Sequence, residues 1–174
     1  SGQADIALCQ KATEQLVAAE PMLRSEYRSL GSVLGDQLVQ IVRTHGNSTL
    51  QVLDWRAEKL SGEALAQRIK KQLIHPYDIH TDRLFCHYLI LLDDSQYLLA
   101  ASTHHINSDG VGMSAHVRKW VAYYESLLGN DVQVPQSNYS FAAQVDLIRA
   151  GTDRQETIAF WQEKFRTVEP LVFT

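Results

Sequence analysis

The chain has 174 residues, 45% of them hydrophobic and 21% charged, with 9 glycines and 4 prolines. This is the composition of one ordered globular domain, long enough to bury a core without disulfides or a structural metal, and it excludes disorder and collagen-like repeats. A formal charge of -4 leaves no electrostatic footprint for nucleic acid or for an anionic membrane.

The two cysteines, Cys9 and Cys86, form no CxxC pair, which argues against a zinc ribbon or disulfide scaffold and suits a reducing compartment. Neither a long apolar span nor a signal-peptide pattern stands out, so a cytoplasmic, non-membrane protein is expected.

From Asp5 to Ala19 the apolar residues Ile6, Leu8, Ala12 and Leu16 recur at helical spacing, and Pro21 marks the stop. Leu23 to Ser29 reads as extended. Gly31 and Gly35 bracket a turn before a strand over Gln37 to Thr44. A further strand, Thr49 to Trp55, alternates Leu50, Val52 and Asp54 against Gln51 and Leu53. Ser61 is placed to N-cap a helix over Gly62 to Leu73, with Leu65, Ile69 and Leu73 on one stripe and Arg68, Lys70 and Lys71 on a solvated face.

Leu84 to Leu92 and Gln96 to Thr103 flank Asp93-Asp94-Ser95 and predict a hairpin with a polar turn. From Gly112 onward, Met113, Val117, Trp120, Val121, Tyr124, Leu127 and Leu128 share one helical face, and Gly129 ends it. Two more helices are expected near Tyr139 to Ala150 and Asp153 to Thr167. All three tryptophans, Trp55, Trp120 and Trp161, read as core residues. The composite is an α+β architecture, a mixed sheet packed with helices.

The segment joining the last strand to the helix that follows reads His104-His105-Ile106-Asn107-Ser108-Asp109-Gly110. Imidazole exchanges protons near neutral pH. Gly110 lets a ligand approach the backbone closely, and the free N–H groups of the helix start favour a developing oxyanion. Asp109 would hold the loop rigid through a partner such as Arg24, or act as the N-cap of the helix, as Ser108 also could. Metal ligation by His104, His105 and Asp109, completed by His87 or His116, is disfavoured because adjacent strand-end residues diverge. No G-x-S-x-G elbow is present, and Cys86 falls inside a core strand, where an inert thiol is the default.

This heptapeptide resembles the HHxxxDG signature of condensation domains in nonribosomal peptide synthetases, members of the chloramphenicol-acetyltransferase-like superfamily. Leu23-Arg24 with Tyr27 is similar to the family's LRTxF segment, and Pro76-Tyr77-Asp78-Ile79 to its PFDL segment. Tyr139-Ser140-Phe141-Ala142 is similar to YxDFA, and Phe160-Trp161 to a later YW helix. Where the family commonly has an arginine after PFDL, Cys86 stands here, leaving Arg24 as the candidate partner of Asp109.

The resemblance implies a chloramphenicol-acetyltransferase-like lobe, with residues 1–174 as the N-terminal lobe of a two-lobed domain. It implies amide-bond formation between a donor acyl or peptidyl thioester and an acceptor aminoacyl group, each tethered to the phosphopantetheine of a carrier protein. His105 and Gly110 would be catalytic with His104 supporting, Asp109 and Arg24 structural, and no cofactor or metal would bind the lobe itself. Donor and acceptor carrier domains, the C-terminal lobe and adjoining adenylation domains are the implied partners, and the lobe alone is expected to be inactive. A free-standing HHxxxDG acyltransferase and a non-catalytic carrier-docking lobe are the alternatives.

Overall fold

A computed structural model describes residues 5–29, 31, 38–45, 50–136, 141–151 and 154–168. They divide into two compact units, residues 1–135 and 136–174.

The first unit opens with α1 (Ile6–Ala19), N-capped by Asp5, whose side chain accepts from the Leu8 N–H. Pro21–Arg24 forms a 3-10 turn, so that of the run Leu23 to Ser29, which reads as extended, Leu23 and Arg24 are in the turn and Ser25–Ser29 forms β1. Pro21 explains the difference, because its fixed φ suits the first position of a helical turn. β1 pairs antiparallel with β2 (Leu38–Val42), Ser25 opposite Val42 and Ser29 opposite Leu38. Gly31 has φ +63, as a turn requires. Gly35, Gln37 and Thr49 lie outside the described residues.

A separate three-stranded sheet has the order β3-β4-β5, with β3 (Gln51–Asp54), β4 (Phe85–Leu91) and β5 (Tyr97–Thr103). β3 runs parallel to β4 and the connection passes through α2 (Gly62–Leu73), while β4 and β5 form the expected antiparallel hairpin. Ser61 occupies the N-cap position of α2, but its side chain makes no capping hydrogen bond.

Two hydrophobic clusters lie on β4. Phe85 and Leu89 join Cys9, Ala12, Leu16 and Val17 of α1 and Trp120 of the helix that follows the hairpin. Tyr88 and Ile90 join Trp55, backed by Leu65, Ile69 and Leu73 of α2. Burial on both faces is why the β4 sequence is a nearly continuous apolar run. In β3, Leu53 backs the second cluster while Val52 is exposed.

α3 spans Gly110–Leu127, two residues longer at its start than the periodicity indicates. Gly129, at φ +86, follows its end. Its buried residues include His116, Lys119, Trp120 and Ala122, whereas Val117, Val121 and Leu128 are exposed. The apolar stripe therefore misplaces the face, because Lys119 is buried by pairing with Glu20 rather than excluded by its charge.

The second unit contains α4 (Phe141–Gly151) and α5 (Arg154–Phe165). Trp161 is 51% exposed there, stacked on Phe165 with Phe160 edge-on, and so is not the core residue its sequence suggests. Among the described residues, no helix is long and apolar enough to cross a membrane.

Candidate active site

β5 ends at Thr103 and α3 begins at Gly110, so the intervening loop lies at a strand terminus and a helix N-terminus at once. The His104 N–H donates to Leu84 O at 3.0 Å, continuing the β4–β5 ladder, and the Asn107 N–H returns to His104 O at 3.0 Å. The Nδ1 of His104 accepts from the Ile106 N–H at 3.1 Å. A ring nitrogen that accepts carries no proton, so neutral His104 holds its proton on Nε2. His104 is half-buried and its ring stands edge-on to Tyr77, centroids 5.8 Å apart, whereas His105 is exposed.

The two segments that resemble LRTxF and PFDL supply tyrosines to this loop. The Tyr27 hydroxyl donates to Ile106 O at 3.3 Å. The Tyr77 hydroxyl hydrogen-bonds the Ser102 hydroxyl at 2.5 Å, and Ser102 donates to Leu73 O at 2.9 Å. Ser102 is thereby committed to structure. Burial raises the Tyr77 phenol above its ordinary value, and the bond to Ser102 opposes that rise.

Asp109 is the N-cap of α3, and its Oδ1 accepts from the Gly112 N–H at 2.7 Å. Arg24 is not brought to it. Its Nε donates to Val17 O at 3.0 Å and its NH1 to the carbonyls of Arg43 and Thr44, and among the described residues it forms no ion pair with Asp109. The reason is register: Ser25 pairs with Val42, so Arg24 lies opposite the end of β2, and its guanidinium reaches the Arg43 and Thr44 carbonyls there.

The two glycines of the turn differ in what they require. A Cβ on Gly112 would meet Ser108 Oγ at 2.5 Å and Asp109 Oδ1 at 3.3 Å, so any side chain there would force the Ser108 hydroxyl to move. Gly112 escapes a reading based on HHxxxDG, although its place three residues after an N-cap is a legible signal. Gly110 has no positive φ, and a Cβ on it would meet nothing within 4 Å. As the first residue of α3, its N–H has no acceptor within the helix.

The remaining candidates lie elsewhere. His87 and His116 are buried around Phe85 and Trp120. Burial holds the His87 imidazole down at about 4 and lowers His116 as well. Cys86 is half-buried with its thiol raised by burial, which disfavours the reactive thiolate.

The Condensation domain family model matches residues 1–172, and the chain belongs to that family. It is 24% identical over 177 residues to a linear gramicidin synthase of Brevibacillus parabrevis, and 29% identical over 162 residues to tyrocidine synthase 3 of the same organism. The matches take in 98% and 92% of this chain but 2% of each of those relatives. Among solved structures, the first condensation domain of the calcium-dependent antibiotic synthetase, in complex with a substrate analogue, superposes with a TM-score of 0.75 at 20% identity, over 99% of this chain and 43% of that one. SgcC5 of Streptomyces globisporus superposes with a TM-score of 0.76 at 18% identity, over 98% and 39%. The chloramphenicol-acetyltransferase-like, α+β expectation is met.

Proposed function

We propose that this chain is the N-terminal lobe of a two-lobed condensation domain, and that its 103–112 joint is one wall of a site for amide-bond formation. Coverage of 43% of a solved condensation-domain chain supports the lobe assignment. The observation that carries the chemistry is the exposed His105 beside a rigid His104, at the strand end that meets the α3 N-terminus.

The reacting groups are a donor thioester and an acceptor α-amine, each carried on the phosphopantetheine of a carrier-protein domain, with adenylation domains as neighbours. A free α-amine titrates near pH 8, so roughly a tenth is neutral at pH 7 and prior deprotonation would lower the barrier by only about 1.4 kcal/mol. His105 instead orients the amine and accepts its proton as nitrogen bonds to the thioester carbon. The carbonyl oxygen, now negative, faces the Gly110 N–H and the positive end of α3. Collapse of the intermediate expels the donor's thiolate. Gly110 suits this role because, with no side chain and with open space around its Cα among the described residues, it leaves the α3 N-terminus accessible to close approach. Asp109 caps the helix, and His104 braces the loop. Arg24 is structural through the α1–β2 carbonyls it bridges, not through Asp109.

The test is the complete two-lobed domain carrying His105→Ala, assayed for condensation with carrier-bound substrates. Activity should fall at least about a hundredfold with the melting temperature unchanged. A folded variant that retains activity would overturn the assignment.

A further inference from the structure

A cavity of about 530 Å³ opens between the β1–β2 ribbon and the loop leading into β4. Arg24, Arg28, Arg43 and Arg83 border it together with His45 and His80, while Glu26 and Asp82 are its only carboxylates among the described residues. This basic concentration stands out in a chain of net charge -4.

The carboxylates offset only part of it. Glu26 is shared by two arginines, its Oε2 lying 2.6 Å from Arg43 and 3.4 Å from Arg28. The Asp82 carboxylate accepts from the Asp78 N–H at 2.8 Å, and the described residues contain no ion pair of Arg83. Arg24 is fixed on backbone carbonyls, which leaves Arg83, without an ion pair among the described residues, and the Arg28–Arg43 pair, which shares the single Glu26 carboxylate, to meet a ligand. Ile79, half-buried, adds apolar surface to the lining.

We propose that this cavity binds the phosphate group of a small organic phosphate ester. Several guanidinium forks around one space match a tetrahedral dianion with three free oxygens better than a planar carboxylate, which one fork satisfies. The volume holds a phosphate with an organic substituent, and the half-buried Ile79 gives that substituent an apolar contact. The proposal does not depend on the condensation reading.

Titration calorimetry of the chain at low ionic strength, with phenyl phosphate and inorganic phosphate as probes, tests it. Saturable binding of both is expected, with the ester at least fivefold tighter (roughly the effect of burying part of a ring). Arg83→Gln should weaken both about tenfold or more, while Lys71→Gln, which removes an exposed cation outside the lining, should leave both unchanged. Matched melting temperatures for the two variants establish that neither has unfolded. No saturable binding, or equal loss in the two variants, would overturn the site. Equal affinity for the two probes would overturn the ester.

Discussion

His87 is 1% exposed on β4, with Phe85 beside it at a ring separation of 4.7 Å and Trp120 at 6.3 Å. Its Nδ1 has no hydrogen-bond partner among the described residues, and burial holds its pKa at about 4. The perturbation is acidification from pH 7 to pH 5. In the unfolded chain the imidazole titrates near 6.5, so between about 6.5 and 4 the unfolded state holds the extra proton and stability falls as pH falls. The contribution is fully present above about pH 6.5 and lost towards pH 4, at roughly 1.4 kcal/mol per pH unit, or about 2 kcal/mol between pH 7 and pH 5. His116, also lowered by burial, adds loss of the same sign. The assay is urea unfolding at pH 7, 6 and 5, followed by tryptophan fluorescence, for the wild type and His87→Leu, a non-titrating side chain of similar volume. The variant should lack about 2 kcal/mol of the wild-type decline. Parallel declines in the two proteins would refute the reasoning, because they would mean that His87 binds its proton equally well folded and unfolded.

Asp109→Ala removes the cap on the Gly112 N–H and should cost about 1 kcal/mol of stability, read by thermal melting, with Asp109→Asn restoring most of it. Lys119→Met leaves the Glu20 carboxylate, 12% exposed, without its ammonium and should cost about 3 kcal/mol or more in chemical denaturation. Adding Glu20→Leu should recover most of that loss, and no recovery would mean that the lysine acts through something other than this pair. Tyr27→Phe deletes the hydroxyl bond to Ile106 O and should lower stability by about 1 kcal/mol in the same unfolding assay.

Local pattern is enough wherever one periodicity decides the structure. The β4–β5 hairpin, the α2 stripe and the loop between β5 and α3 are legible because apolar runs, a polar turn and a motif of fixed spacing are all contiguous. The face of α3 is not legible. A hydrophobicity pattern counts Lys119 and His116 as outward, yet Glu20, distant in sequence, buries Lys119, while Val117 and Val121 remain exposed. Trp161 fails for the related reason that a large apolar side chain is assigned inward by default, whereas this one is half-exposed on α5.

Arg24 is the more instructive case, since pairing it with Asp109 rests on chemistry alone, without a register. The guanidinium position follows from the β1–β2 alignment, in which the Arg43 N–H donates to Arg24 O at 3.0 Å. The same alignment gathers Arg24, Arg28 and Arg43 around one cavity, and the loop before β4 adds Arg83. Nothing in their sequence spacing marks them as a set. Gly110 and Gly112, by contrast, look alike in the sequence and separate only when a Cβ is placed on each. A Cβ on Gly112 would press on the Ser108 hydroxyl, whereas one on Gly110 would meet nothing within 4 Å among the described residues.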